Sequence, residues 1–216
     1  MHSRENLRRA MALYAVTDRS WLGGRTLADC VAAALAGGAT CVQLREKGAS
    51  TAAVAAQARA LLPLCRAAGA PLIVNDDVEA ALLAGADGVH VGQGDAACAE
   101  ARAALGPDAV VGVSVQTAAQ ALAAQEAGAD YVGAGAVFGT PTKTDAVVTG
   151  VDGLAAICAA VDIPVVAIGG LNARTLPALA DSGADGAAVV SALFAAEDIE
   201  SAARHLRAVV REVLGA

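Results

Sequence analysis

The stretch Gly85-Ala86-Asp87-Gly88-Val89-His90-Val91 decides how the rest of the chain is read. A glycine ends an alanine-rich segment, an acidic residue stands two positions later, and a short β-prone run begins at once. Glycine there suits a helix C-cap, since it enters the left-handed backbone region without steric cost, so a strand starts where a helix stops. The same small-residue turn recurs as Gly38-Ala39-Thr40, Gly128-Ala129-Asp130 and Gly183-Ala184-Asp185, with the glycines 47, 43 and 55 residues apart. One strand–helix unit is shorter than that spacing; two units fill it.

Working outward, short apolar runs alternate with alanine-rich helical stretches. The pattern predicts strands at Leu13–Thr17, Cys41–Arg45, Leu72–Asn75, Gly88–Val91, Val110–Val115, Tyr131–Gly135, Val165–Ile168 and Gly186–Val190. Helices are expected at Thr51–Ala68, Thr117–Ala127 and Asn172–Ser182, with a last one from near Ala195 to near Leu214. Such alternation means a parallel sheet with right-handed crossovers. Eight units in 216 residues predict a single α/β domain, a small (β/α)₈ TIM barrel over residues 1–216 with a short N-terminal extension at about 1–11. The recurring turn then precedes strands two, four, six and eight. An open doubly wound sheet is the competing fold, but it would be marked by a GxGxxG turn after the first strand, and none is present.

Composition excludes several classes. Hydrophobic residues make up 56% of the chain and aromatics only 2%, with 58 alanines, so the apolar fraction is largely small side chains suited to helix packing. That hydrophobicity argues against disorder. No uninterrupted apolar run of about 18 or more residues suggests a transmembrane helix. Asp18 breaks the apolar stretch behind Arg4, Arg8 and Arg9, which argues against a secretory signal. The formal charge of -7 argues against broad nucleic-acid binding while allowing a local anion site. Cys30, Cys41, Cys65, Cys98 and Cys158 show no metal-binding spacing and read as reduced, buried thiols of a cytoplasmic protein.

In a barrel, functional residues belong at the C-terminal ends of the strands. Polar residues do cluster there. Gln43, Arg45 and Lys47 share one strand face, bringing an amide and two cations to the second strand end. Alone, that string would also suit a solvated strand end. Asp76 follows the third strand and Asp95 the fourth; two carboxylates on neighbouring strand ends suit Mg²⁺, which takes one or two protein carboxylates and completes its shell with water and phosphate oxygens. Asp77 and Asp95 also read as helix N-caps. Thr140, Thr142 and Lys143 follow the sixth strand on a Gly/Pro-punctuated loop that suits an anion, without the Walker A pattern. Gly169-Gly170 and Val190-Ser191 end strands seven and eight, whose loops commonly bind phosphate in this fold. His90 reads as a satisfied core histidine and Trp21 as a packing or lid residue.

Taken in order, these strings resemble the thiamine phosphate synthase family. The matching pieces are Tyr14 to Asp18, Val42 to Lys47, Val74 to Asp77, Gly85 to Asp95, Gly112 to Ser114, Thr140 to Lys143, Ala167 to Gly170 and Val189 to Ser191. The resemblance implies a (β/α)₈ barrel and a transferase of thiamine biosynthesis. The reaction joins hydroxymethylpyrimidine diphosphate to a thiazole monophosphate, giving thiamine monophosphate and diphosphate. It further implies that Gln43, Arg45, Lys47, Asn75, Ser114 and Lys143 contact the pyrimidine diphosphate, with Arg45, Lys47, Ser114 and Lys143 acting in catalysis. By the same pattern Asp76 and Asp95 hold Mg²⁺, and Thr140, Thr142, Gly170, Val190 and Ser191 hold the thiazole phosphate. Ser114 would face either the pyrimidine or the diphosphate. The family usually has proline after the glycine that ends strand six; here Ala136 follows Gly135. Two other readings differ in chemistry. A barrel that isomerises the thiazole precursor would lack the diphosphate–Mg²⁺ half, and a precursor sensor would lack the cationic and carboxylate residues.

Overall fold

The computed structural model describes residues 4–93, 95–139 and 148–216, without the side chains of 95 and 96. Among the described residues the order is α1 (Arg4–Ala10), β1 (Leu13–Val16), α2 (Leu27–Ala36), β2 (Cys41–Leu44), α3 (Thr51–Ala68), β3 (Leu72–Asn75), α4 (Val78–Ala84), β4 (Gly88–Val91), α5 (Asp95–Leu105), β5 (Val110–Val115), α6 (Ala118–Glu126), β6 (Tyr131–Ala134), α7 (Gly150–Ala160), β7 (Val165–Ile168), β8 (Gly186–Val189), α8 (Ser191–Phe194) and α9 (Ile199–Leu214). The strands pair in sequence order, all parallel, and β8 returns to β1, so the sheet is a closed barrel. No described helix is long and apolar enough to cross a membrane.

The recurring turn has a direct physical role. In each case the third residue holds the first residues of the preceding strand by two hydrogen bonds. Leu13 N–H donates to Thr40 Oγ1 at 2.9 Å, Leu72 N–H to Asp87 Oδ2 at 2.8 Å, Val111 N–H to Asp130 Oδ2 at 2.8 Å, and Val165 N–H to Asp185 Oδ2 at 2.8 Å. The backbone N–H groups of Thr40, Asp87, Asp130 and Asp185 donate back to the carbonyls of Leu13, Leu72, Val111 and Val165 at 2.8–3.0 Å. Strand pairs β1–β2, β3–β4, β5–β6 and β7–β8 are thus pinned in register by one repeated device. Arg102 and Arg8 add ion pairs to Asp130 and Asp185.

Alternation along each strand sorts the side chains into two cores. Leu13, Val42, Leu72, Val89, Val111, Val132 and Val165 face the helices and are buried there. Tyr14, Cys41, Ile73, Val110, Tyr131, Val166 and Ala188 fill the barrel interior. Leu7 of α1 and Met11 join that interior cluster, so the N-terminal extension closes the end where the strands begin. All five cysteines are thiols. Burial pushes the Cys65 and Cys158 thiols up to about 12, with nearby Asp87 and Asp185 adding to it, so neither is a reactive thiolate at neutral pH.

Two expected helices differ. Residues 172–182 do not form an α-helix; they form one 3₁₀ turn at Leu176–Leu179. The Asn172 side chain accepts from the N–H groups of Arg174 and Thr175, the Thr175 hydroxyl turns back to Gly170 O, and Pro177 offers no N–H. The last helix, α9, starts at Ile199 rather than near Ala195, and the separate one-turn α8 precedes the expected start. Asp198 accepts from Ser201 N at 2.9 Å and starts α9 there, a cap that outcompetes helical continuation from Ala195.

Asp87→Ala would leave the Leu72 N–H without its side-chain acceptor at a part-buried strand start. It should cost about 2 kcal/mol of stability, read from urea unfolding, and Asp87→Asn should recover part of that because its amide oxygen still accepts.

Candidate functional site

Parallel closure puts every strand's C-terminal end on one rim. Gln43, next to last in β2, faces the barrel interior and is only 5% exposed, and its Nε2 donates to Tyr14 Oη at 2.9 Å. Just beyond, Thr17 N–H donates to Gln43 O, and Arg45 N–H donates to Thr17 Oγ1 at 3.0 Å, which locks the exits of β1 and β2 together. Arg45 reaches Asp18 at 3.4 Å. Burial pushes the Asp18 carboxyl up, but hydrogen bonds from Ser20 together with the charges of Arg45 and Lys47 outweigh it and hold the group below its usual range. Asp18, Arg19, Ser20, Trp21, Arg45, Glu46 and Lys47 line a cavity of about 410 Å³ at this rim. Trp21 is partly buried against the core and forms one wall of it. Glu46 pairs with Arg19 through one oxygen, while its other oxygen is buried without a hydrogen-bond partner among the described residues.

The exit of β3 divides its two carboxylates between two tasks. Asp77 accepts from Ala80 N at 2.8 Å and caps α4, as its place before the helix implied. Asp76 is exposed and has a left-handed backbone, φ 62°, which costs a non-glycine residue about 1 kcal/mol. Its N–H is held by His90 O at 2.8 Å, and Asn75 Nδ2 donates to its Oδ2 at 2.7 Å. The strained turn leaves a carboxylate at the rim beside β4. Hard oxygen donors of this kind fit Mg²⁺, and Asp95 opens α5 on the next connection. Among the described residues no group of three His, Cys, Asp or Glu side chains is placed to hold a metal ion.

Ser114 ends β5 with its Oγ 2.9 Å from His90 Nε2. Across the barrel, the chain beyond β6 crowds the exit of β7. Val137 N–H donates to Ile168 O at 2.9 Å and Phe138 N–H to Gly169 O at 3.1 Å. A Cβ on Gly170 would stand 2.9 Å from Gly139 O, so a side chain there would displace backbone. Val190 caps α8, and Ser191 is its first residue, next to the β7 exit because β8 pairs with β7.

The rim therefore gathers Gln43, Arg45, Asn75, Asp76, Ser114, Gly170, Val190 and Ser191, with the exposed Lys47 three residues past β2. Thr140, Thr142 and Lys143 lie outside the described residues, as does the Asp95 side chain. Three contributors escaped the sequence reading. Tyr14 and Tyr131 are buried links behind Gln43 and His90; the signal available was that both tyrosines of an aromatic-poor chain stand at inward strand positions. Arg25 had no signal: its guanidinium donates to the carbonyls of Trp21, Leu22, Phe194 and Ala196, tying the loop after β1 to the C-terminus of α8.

Comparison with known proteins finds similarity to one family. A family model described as thiamine monophosphate synthase matches residues 13–193. The chain is 51% identical to a thiamine-phosphate synthase of Chloroflexus aurantiacus over 92% of each chain. It is 48% identical to one from a Roseiflexus species, covering 94% of this chain and 86% of that one. Among solved structures, a thiamine phosphate pyrophosphorylase from Pyrococcus furiosus superimposes with a TM-score of 0.89 at 42% identity, over 97% of this chain and all of that one. A 3-hexulose-6-phosphate synthase, at 24% identity and a TM-score of 0.63, shares the fold.

The lowered Asp18 carboxyl contributes stability that is present above the ordinary carboxylate range and is lost as pH falls through its lower native value. Asn can still cap the turn but carries no charge. The difference in urea midpoint between the wild type and Asp18→Asn should therefore be full at neutral pH and shrink as pH falls below the ordinary carboxylate range and through the lower native value.

Proposed function

The chain belongs to the thiamine monophosphate synthase family and has that family's synthase activity in thiamine biosynthesis, and we propose that its rim is the site where the two substrates are joined. The substrates are hydroxymethylpyrimidine diphosphate and the thiazole monophosphate or its carboxylated form. The bond between the pyrimidine methylene carbon and the diphosphate oxygen breaks, and the oxygen keeps the electron pair. The thiazole nitrogen lone pair forms the new carbon–nitrogen bond, giving thiamine monophosphate and diphosphate. No base is required, because that nitrogen is already a nucleophile.

The observation that carries this assignment is the strained Asp76 at the rim, beside a strand exit that carries Arg45 and Lys47. A residue held in a costly backbone conformation at a strand exit points to a site that uses its side chain. Arg45 and Lys47 receive the diphosphate, the guanidinium as a fork and the ammonium as a point charge. Asp18 keeps the Arg45 fork oriented from behind. Asn75 orients Asp76 and adds a polar contact to the same substrate. Asp76 and Asp95 would hold Mg²⁺, which when bound neutralises charge gathering on the leaving diphosphate. Lys143 adds a further cation to that group. Fixed charges that meet the leaving group need no reorganisation as the bond breaks, and each such contact is worth several kcal/mol. Gln43 and Ser114 hold the pyrimidine end. Gly170, Val190 and Ser191, with Thr140 and Thr142, seat the thiazole phosphate, and the glycine admits backbone N–H groups close to it. Holding both partners on one rim turns their meeting into an intramolecular step.

The chain would work as one barrel domain, with Leu7 of α1 and Met11 closing the end opposite the site. Its five thiols favour a cytoplasmic setting, and its partners are these two small molecules.

Incubation of the protein with both substrates and Mg²⁺ should release thiamine monophosphate, followed by chromatography; no product above background at high enzyme concentration would refute the assignment. Asp95→Ala should lower kcat by more than about tenfold and raise the Mg²⁺ concentration needed for half-maximal rate, with an unchanged circular dichroism spectrum.

A further inference from the structure

A file of hydrogen bonds crosses the barrel interior behind the rim, with side branches from Cys41 to Tyr14 and from Gln43 to Tyr131. Gln43 Nε2 meets Tyr14 Oη at 2.9 Å, Tyr14 Oη meets Tyr131 Oη at 2.7 Å, Tyr131 Oη meets His90 Nδ1 at 2.9 Å, and His90 Nε2 meets Ser114 Oγ at 2.9 Å. The file runs through β2, β1, β6, β4 and β5 and joins two residues of the proposed site. The three middle members are at most 9% exposed. Room for them is cut by absent side chains. A Cβ on Gly112 would lie 2.1 Å from the Tyr131 ring, and one on Gly133 would lie 3.0 Å from His90 Cε1.

The direction of the file follows from its first member. An amide N–H only donates, so Tyr14 oxygen accepts from Gln43. Burial raises both phenols well above their ordinary range, so each keeps its one proton to give. Tyr14 gives its proton to Tyr131, and Tyr131 gives its own to His90 Nδ1. With Nδ1 accepting, the imidazole is neutral and its proton sits on Nε2, where it is donated to Ser114 Oγ. The Ser114 hydroxyl proton is then left to point away from His90, into the rim. In the reverse order the Tyr14 oxygen would accept from both Gln43 and Tyr131, and its own proton would be left only the Cys41 sulfur, a weak acceptor.

We propose that His90 is a positioning residue: Gln43, Tyr14 and Tyr131 hold it as the neutral Nε2–H tautomer, and it thereby fixes Ser114 as a hydrogen-bond donor to an acceptor atom of the pyrimidine diphosphate. The kinetic part rests on the function proposed above; the tautomer does not. Gln43 thus has two tasks, one on the substrate and one on the direction of a hydroxyl reached through three other side chains.

The full-length protein labelled with ¹⁵N-histidine decides the tautomer by long-range ¹⁵N–¹H correlation, with the His90 signals identified by their loss in His90→Gln. The expected pattern is Nε2–H; an Nδ1–H or doubly protonated ring overturns the proposal, whether or not the protein makes product. Tyr131→Phe, which removes the proton given to Nδ1, should mix the tautomers and lower kcat about tenfold with KM little changed. In a Ser114→Ala background the same change should cost less than about twofold, because the hydroxyl it directs is gone. Equal losses in both backgrounds would mean a merely structural tyrosine and would overturn the proposal. Should Tyr131→Phe fail to fold, Tyr14→Phe cuts the same file one link earlier, and the wild-type tautomer remains decisive. Absence of turnover in the wild type would refute the proposed function while leaving the tautomer result standing.

Discussion

Everything at the rim depends on the two-bond clamp that ties each even-numbered strand's first turn to the strand before it. A shift of one residue between parallel strands would turn every inward side chain outward. The clamp forbids that at four places: an oxygen of Thr40, Asp87, Asp130 or Asp185 must meet one particular strand N–H. Because these turns lie at the entry of the barrel, they leave the exit free of structural duty. The charged and polar groups at the exit can then be chosen for substrate, and Asp76 can hold a costly backbone conformation there. Stability and chemistry are thus divided between the two ends of the same strands.

The interior is divided in the same way. Toward the entry, Met11, Leu7, Cys41 and Val110 fill the barrel with apolar volume. Toward the exit, Gln43, Tyr131, His90 and Ser114 form a polar layer whose internal hydrogen bonds are satisfied. Buried polar groups tolerate such a place only when every donor finds an acceptor, so the layer is rigid by necessity. That rigidity suits a reaction in which the protein mainly orients two ready reactants and stabilises a departing anion.

The acidic surface and the anionic substrates are not in conflict. Arg45 and Lys47 set the local field at one rim, while the net charge of -7 is spread over the whole molecule. Arg25 extends the same economy of position: by gathering carbonyls from the β1 loop and the end of α8, it steadies the segment that begins with Ser191.

By itself the sequence determined the strands and their order, and showed polar residues clustered after each strand. Those features are written in local patterns: glycine-punctuated turns, two-residue alternation and polar residues clustered after each strand. It determined the family as well, through ordered strings around Gln43, Asp76, Asp95 and Ser191. Local pattern misled where two local forces competed, as at Pro177 with the Asn172 turn and at the Asp198 cap, since side-chain bonds to nearby backbone overrode alanine's helix preference. The sequence already marked Asp77 as the helix cap, while only the tertiary structure showed the left-handed backbone that sets its neighbour Asp76 at the rim. Only it decided that His90, a bland core residue by sequence, links Tyr131 to Ser114. Hydrogen bonds between residues on different strands depend on barrel closure, and closure brings together positions that no local spacing relates.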